Sequence, residues 1–157
     1  MRVTAIIQAR TGSSRFPGKV LREIEGLPLL QRMLQRVERC REIDRIAIAT
    51  GESEADDDIA SLAAAGGVGC FRGSETDVLD RYYRAARSLS CEGTAVVRLT
   101  ADCPLIDPEL VDRVVARFRE GDCDYASNID PPTWPDGLDT EVFERTLHVR
   151  RPQLQRA

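Results

Sequence analysis

A loop near the amino terminus, residues 9–19, concentrates groups that could bind phosphate. It holds two glycines, two serines and the three cations Arg10, Arg15 and Lys19. Glycine lets backbone N–H groups turn toward an anion, and serine hydroxyls supply further donors. The three cations could neutralise a triphosphate, including the charge that grows at a transition state. The loop therefore predicts an anion site, and the alternative is a solvated basic turn.

The spacing within this loop argues against two familiar phosphate-binding motifs. Five residues separate Gly12 from Gly18, one more than in a Walker A loop, and Val20 stands where Ser or Thr would bind Mg²⁺. The chain also lacks G-x-G-x-x-G at this position, so a dinucleotide-binding fold is disfavoured. A phosphate site here must be of another type.

Asp102 and Asp139 are the acidic residues best placed to bind a divalent cation. Asp102 closely follows an apolar run, so its carboxylate should project from the carboxyl end of a buried strand. Mg²⁺ prefers one or two carboxylates together with phosphate oxygens, and these two residues would supply that set. The alternatives are a loop-capping role for Asp102 and a surface turn for Asp139.

Other polar residues are interpreted as structural. Asp77 is predicted to complement the start of a helix, and Ser53 with Asp56 resembles a capping box. Residues 56–58 are expected to form a solvated acidic turn. The single histidine, His148, lies in an atypical stretch, so a serine or cysteine triad has no evident base.

Alternating apolar and amphipathic segments predict the scaffold that positions these residues. The pattern is typical of a parallel sheet covered by helices. The predicted strands span residues 3–8, 45–50, 68–71, 95–100 and 124–128. The predicted helices begin near Pro28, Ser53, Asp77 and Asp107. Because such sheets bind ligands beyond the carboxyl ends of their strands, the loops of interest are 9–19, 72–77, 101–107 and 128–139.

Length, charge and composition restrict the class of protein. The 157 residues fit one domain, and the hydrophobic fraction of 42% is ordinary for a globular chain. A net charge of −4 gives no global basic field for a nucleic-acid backbone, so no nucleic-acid partner is expected. Without an apolar run of membrane-spanning length or a signal-peptide pattern, we expect a cytoplasmic protein with no membrane partner. The five dispersed cysteines are expected to be free thiols.

Four blocks of the sequence carry a resemblance to a known family. They are IQARTGSSRFPGK at 7–19, FRGSETDVLDRY at 71–82, RLTADCPLID at 98–107 and PDGLDTEV at 135–142. In this order they resemble the sugar cytidylyltransferases of the spore-coat polysaccharide biosynthesis type, which are related to the enzymes that activate acylneuraminate and Kdo with CTP. The resemblance covers residues 3 to about 145, and ordered blocks are more specific than any single motif.

The resemblance implies an α/β protein with the three-layer, Rossmann-like nucleotide-diphospho-sugar transferase fold, in which helices cover both faces of a mainly parallel sheet. Residues 1–145 would form the nucleotidyltransferase domain, and residues 146–157 an atypical carboxyl-terminal tail. The implied reaction transfers CMP from CTP to a sugar or sugar acid with release of pyrophosphate, for polysaccharide biosynthesis. The implied partners are CTP, the acceptor and a second copy of the chain in a homodimer.

The resemblance also assigns roles to individual residues. Those implied in nucleotide binding are Ala9, Arg10, Gly12, Ser13, Arg15, Lys19, Arg72 and Ser74. The implied catalytic residues are Arg10, Lys19 and Asp102. Mg²⁺ is the implied cofactor, and its implied ligands are Asp102 and Asp139. The residues implied in acceptor binding are Asn128, Trp134 and Asp136.

Two features depart from the family pattern. Ala101 stands where this branch usually has glycine, and the chain is shorter than is usual for the family. A truncated carboxyl end with weakened turnover is therefore expected. Two other functions stay open, namely a nucleotide-binding module without catalysis and a transferase that uses UTP or GTP with a sugar phosphate.

Overall fold

The computed structural model describes residues 1–13, 15–89, 94–132 and 134–144. Its strands are β1 (Arg2–Gln8), β2 (Glu23–Ile24), β3 (Leu27–Pro28), β4 (Arg45–Gly51), β5 (Gly69–Gly73), β6 (Thr94–Thr100), β7 (Tyr125–Ser127) and β8 (Glu141–Glu144). Its α-helices are α1 (Leu29–Val37), α2 (Asp57–Ala65), α3 (Val78–Leu89) and α4 (Pro108–Arg119). Short 3-10 helices span Lys19–Leu21 and Glu54–Asp56.

Six of these strands form one sheet in the order β5-β4-β1-β6-β8-β7. β1 pairs in parallel with β4 and β6, and β4 pairs in parallel with β5. β8 runs antiparallel to both of its neighbours. The mainly parallel sheet that the sequence predicts is therefore confirmed.

Helices pack on both faces of this sheet. Alternate residues of a strand point to opposite faces. Val3, Ala5 and Ile7 of β1 accordingly belong to a buried cluster that includes residues of α1, α2 and α4. Ile6 belongs to a second cluster with Tyr82 of α3. The three-layer arrangement follows from this division and confirms the predicted fold class.

The order of the strands reverses between β1 and β6. From β1 the chain passes through α1 to β4 and through α2 to β5, and α3 then returns it to β6 on the other side of β1. The two strand ends are in register, because Gln8 lies opposite Thr100 and the amide of Ala101 donates to the carbonyl of Gln8 at 2.9 Å. We call the space beyond these two ends the β1/β6 crevice.

Two short elements were not predicted from the sequence. β2 and β3 form a hairpin whose turn residues Glu25 and Gly26 have φ angles of 50° and 76°. A ladder of two residues per strand is too short to produce a periodic pattern. The sequence did not predict β8, because its four residues, Glu141–Glu144, depend on pairing with distant β6 rather than on a continuous apolar run.

Two helix starts agree with the capping signals in the sequence. Asp107 caps α4 by accepting a hydrogen bond from the amide of Glu109 at 2.9 Å, and Asp77 accepts one from the amide of Asp80 at 2.9 Å. None of the helices in the described ranges has the length and apolar character needed to cross a membrane. Four cysteines in those ranges are free thiols, while Cys91, His148 and the predicted tail lie outside the described residues.

We expect Asp107→Ala to lower the free energy of unfolding by about 0.5–2 kcal/mol, because alanine leaves the Glu109 amide without its cap. Urea denaturation followed by circular dichroism measures the change. Asp107→Asn is the matched control, since asparagine caps a helix about as well as aspartate does. An alanine variant as stable as the original chain would contradict the capping role.

Candidate functional site

Hydrogen bonds to a single carbonyl group fix the backbone of the predicted phosphate loop. The oxygen of Thr11 accepts hydrogen bonds from the amides of Ser13 and Gly18, both at 2.8 Å. Gly18 has a φ of 69°, in the left-handed region that favours glycine, and it turns the chain into the 3-10 helix Lys19–Leu21. Val20 is buried in that helix. The loop therefore ends on an element that is packed against the core.

A buried carboxylate anchors the start of the loop. Asp56 is 3% exposed, and its Oδ1 accepts hydrogen bonds from the amide and the hydroxyl of Thr11, both at 2.7 Å. Its Oδ2 accepts a bond from the amide of Gly51 at 3.0 Å. Asp56 occupies the N-cap position of α2, but its side chain caps no amide of that helix. The sequence-based interpretations as a capping box and a solvated turn are therefore wrong for Asp56, because three donors outside the helix compensate its burial.

The carboxylate fits against β4 because that strand ends in glycine. A Cβ atom at Gly51 would lie 2.4 Å from Oδ2 of Asp56, well inside normal contact distance. Asp57 and Asp58, by contrast, are exposed, as the sequence predicts. Within this acidic run, one residue is thus part of the loop anchor and two belong to the surface.

The loop brings its lysine to the end of the neighbouring strand. Lys19 Nζ lies 2.5 Å from Asp102 Oδ2, and the two side chains are 28% and 42% exposed. Partial burial alone would raise the pKa of Asp102, but hydrogen bonds from Lys19 and Thr100 outweigh burial and hold this pKa below its ordinary value. Asp102 is therefore ionised at neutral pH, and opposite charges face each other in the β1/β6 crevice.

Asp139, the second predicted metal ligand, influences the same thiol as Asp102, that of Cys103. Burial raises the pKa of Cys103, and the negative charges of Asp102 and Asp139 raise it further. Both carboxylates are thus within electrostatic range of one thiol. No group of three or more His, Cys, Asp or Glu side chains in the described ranges could hold a metal ion. Two carboxylates are nonetheless a donor set that Mg²⁺ accepts where phosphate oxygens complete its coordination, and metal binding by Asp102 and Asp139 stays a prediction.

Arg72, predicted near the base or ribose, binds the connection between β4 and α2. Its guanidinium donates to the carbonyl oxygens of Gly51 and Ser53 at 3.0 and 2.8 Å, and it pairs with Asp57 at 2.7 Å. These contacts stabilise the segment that carries Asp56. Direct contact of Arg72 with a nucleotide stays a prediction.

The other predicted nucleotide-binding residues lie at the end of β1 and in the turn that follows β5. Arg10, Gly12 and Arg15 are exposed, and a Cβ atom at Gly12 would meet nothing within 4 Å. Ala9 is buried and continues the pairing of β1 with β4. Ser74 accepts a hydrogen bond from the amide of Asp77 at 3.0 Å, so its hydroxyl helps to begin α3. The exposed groups are free to approach an anion, whereas the buried ones hold the backbone.

Comparison with known proteins identifies the family of the chain. The family model described as cytidylyltransferase matches residues 4–145. The chain belongs to the cytidylyltransferase family.

Two curated relatives of this chain are longer proteins. The spore coat polysaccharide biosynthesis protein SpsF of Bacillus subtilis (strain 168) is 36% identical over 155 residues, which cover 96% of this chain and 62% of SpsF. The 3-deoxy-manno-octulosonate cytidylyltransferase of Anaeromyxobacter sp. (strain Fw109-5) is 37% identical over 149 residues, which cover 95% of this chain and 57% of that enzyme. The chain thus spans 57% to 62% of the length of these relatives.

A solved structure has the same fold as this chain. The cytidylyltransferase from Leptospira borgpetersenii serovar Hardjo-bovis (strain JB197) superposes with a TM-score of 0.91 at 33% identity. The similarity covers 100% of this chain and 66% of the Leptospira chain. The nucleotide-diphospho-sugar transferase fold that the sequence predicts is therefore confirmed.

Asn128, predicted to face the acceptor, is buried. It is 8% exposed, and its Nδ2 donates to the carbonyl of Leu138 at 2.8 Å. Its Oδ1 accepts a bond from the amide of Thr140 at 2.8 Å. Asn128 thus joins the end of β7 to the segment that leads into β8, and its contact with an acceptor stays a prediction.

Trp134 and Asp136 lie on the surface of the protein. Trp134 is 44% exposed, and the guanidinium carbon of Arg113 in α4 lies 5.6 Å from the centre of its ring. Asp136 is exposed as well. These positions leave both side chains accessible to a ligand, and their role in acceptor binding stays a prediction.

Sequence reasoning missed two buried polar residues near the site, Asp56 and Arg81. Asp56 belongs to an acidic run at a helix start, which is typical of a solvated turn, and two of its three donors come from distant Thr11. Arg81 offered a clearer signal. It lies three residues after Val78 and four before Ala85, which places it on the apolar stripe of α3.

We expect Asp56→Asn to lower the free energy of unfolding by about 1–3 kcal/mol. The amide retains one acceptor oxygen, and its N–H₂ group would face the donors of Thr11 or of Gly51. Chemical denaturation measures the loss, and amide exchange at Thr11 should become faster. Asp58→Asn changes an exposed neighbour and should stay within about 0.5 kcal/mol. Equal stability of the two variants would exclude the anchoring role.

Proposed function

We propose that this chain binds CTP together with Mg²⁺ and transfers the cytidylyl group to a hydroxyl of a sugar or sugar acid. The observation that carries the proposal is the meeting of Lys19 and Asp102 in the β1/β6 crevice. Open α/β sheets bind ligands beyond the carboxyl ends of their strands, where the strand order reverses. Membership of the cytidylyltransferase family supports CTP as the nucleotide.

The triphosphate would occupy the space between the loop and Asp102. Arg10 and Arg15 are exposed there, and the backbone at Gly12 is open to an approaching group. A partly exposed ion pair such as Lys19–Asp102 contributes only about 0–1 kcal/mol. Exchanging it for a lysine–phosphate contact therefore costs little. The ion pair keeps Lys19 and Asp102 at the crevice in the free protein and does not prevent a triphosphate from binding there.

Asp102 and Asp139 would hold Mg²⁺, with phosphate oxygens as its further ligands. The chemistry that Mg²⁺ supplies when bound is neutralisation of phosphate charge and a lower pKa of a bound hydroxyl. Asp102 suits this role because its pKa is depressed, so its carboxylate is available at neutral pH. Lys19, released from Asp102, would then contact the phosphates.

The reaction itself requires positioning more than covalent help from the protein. The acceptor oxygen would attack the α-phosphorus, a bond from that oxygen to phosphorus would form, and the bond to the β-phosphate would break. Pyrophosphate leaves, and the acceptor hydroxyl loses its proton. Arg10 and Lys19 would stabilise the charge that moves onto the leaving oxygens.

The names of two relatives support an acceptor used in polysaccharide biosynthesis. One is a spore coat polysaccharide biosynthesis protein, and the other is a 3-deoxy-manno-octulosonate cytidylyltransferase. We therefore propose sugars and sugar acids as the first acceptors to test. A cytoplasmic location belongs to the same proposal, because the described cysteines are free thiols, as in a reducing compartment. A homodimer stays a prediction.

Calorimetric titration with CTP, UTP, GTP and ATP in the presence of Mg²⁺ tests the nucleotide, and a pyrophosphate-release assay with sugars and sugar acids tests the transfer. We expect CTP to bind most tightly and to release pyrophosphate only with an acceptor. Binding without release would favour a nucleotide-binding module. Tighter binding of UTP or GTP would replace the cytidylyl assignment.

We expect Asp102→Asn to lower the rate of pyrophosphate release by about 100-fold or more while CTP affinity changes less than about fivefold. Lys19→Ala should weaken CTP binding by about tenfold and lower the rate as well, because it removes a phosphate contact. Asp122→Asn is the control, since it changes an exposed carboxylate that pairs with Arg117 after α4. Unimpaired Mg²⁺-dependent turnover in Asp102→Asn would refute the metal assignment.

A further inference from the structure

Arg81 carries a positive charge into the interior beside the proposed nucleotide site. It lies in the first turn of α3 and is 0% exposed. Its Nη1 donates to the carbonyl oxygen of Ser74. Its Nε and Nη2 are buried and have no hydrogen-bond partner among the described residues. Three of its N–H donors are therefore unused by the protein in the described ranges.

The surroundings of Arg81 disfavour the charged form of its side chain. Burial lowers the pKa of Arg81, and the positive charge of Arg10 lowers it further. Asp56 and Asp77 favour the charged form only through space. Replacing an inadequately paired buried charge by an apolar group of similar volume is often neutral or stabilising. A purely structural role would be better served by a residue such as methionine.

The position of Arg81 relates it to the phosphate loop. Its guanidinium binds the carbonyl of Ser74, and Arg10 Nη1 lies 3.5 Å from the carbonyl oxygen of the next residue, Glu75. Two guanidinium groups thus approach two successive peptide carbonyls, one from the helix side and one from the loop side. Arg10 thus joins the turn between β5 and α3 to the end of β1, and Arg81 joins the same turn to α3.

We propose that Arg81 is a positioning residue for nucleotide binding. It holds the turn at Ser74 and places a buried positive charge behind Arg10, and the anionic phosphates of the nucleotide offset this charge. The inference rests on the proposed function. Removing the charge should therefore weaken nucleotide binding without lowering the stability of the free protein.

The test is Arg81→Met, examined for thermal stability without ligand and for affinity toward CTP–Mg²⁺ and inorganic tripolyphosphate. We expect the melting temperature to stay equal or rise, while both dissociation constants increase by roughly tenfold. Arg81→Lys should recover most of the tripolyphosphate affinity, because it keeps the charge. If Arg81→Met does not fold, Arg81→Gln keeps a donor without the charge, and we expect the same roughly tenfold loss.

Arg84→Met is the matched control on the same helix, because its side chain is 65% exposed and pairs with Asp80. It should change neither affinity. A lower melting temperature of Arg81→Met with unchanged affinities would overturn the inference and make Arg81 an ordinary structural residue. Unchanged affinities of a folded Arg81→Gln would overturn it as well. If the original chain binds neither ligand, the proposed function fails and the inference fails with it, whereas normal binding by the original chain confines any failure to Arg81.

Discussion

A cationic loop can act on phosphate only if its backbone is held while its charged side chains stay accessible, and the buried carboxylate of Asp56 meets that requirement. It fixes the amide and hydroxyl of Thr11 and the amide of Gly51 with three hydrogen bonds. These contacts join the end of β1 to the end of β4. Because they lie at the root of the loop, Arg10 and Arg15 remain exposed beyond it.

The charges that face the β1/β6 crevice depend on how the ends of β1 and β6 are aligned. Lys19 and Asp102 approach from adjacent strands because their loops leave a parallel pair in register. Neither charge is deeply buried, so water or a ligand can compete for both. The same geometry that pairs them in the free protein would let a polyphosphate take the lysine and a divalent cation take the carboxylate. The crevice is thus organised for two partners of opposite charge.

The general architecture could be predicted from the sequence because it depends on local patterns. Apolar runs identified the parallel strands, and Asp77 and Asp107 marked helix starts that the structure confirms. The meeting of Lys19 and Asp102 could be expected as well, since carboxyl ends of parallel strands share one edge of a sheet.

Features that depend on distant partners could not be predicted in this way. β8 exists because β6 offers it an edge, and Asp56 is buried because Thr11 and Gly51 supply donors from elsewhere in the chain. Asn128 showed the same difficulty. The family resemblance implies an acceptor contact for it, which stays a prediction, but the residue's place in the sequence gave no sign that its amide binds the segment before β8. A side chain's type does not reveal which groups the fold will bring to it.

A crystal structure with CTP and Mg²⁺ tests the central claim most directly. The triphosphate should lie in the β1/β6 crevice, with Lys19 moved from Asp102 to a phosphate oxygen and with the carboxylate of Asp102 on the metal ion. A nucleotide bound elsewhere on the chain, with the Lys19–Asp102 pair intact, would contradict that claim.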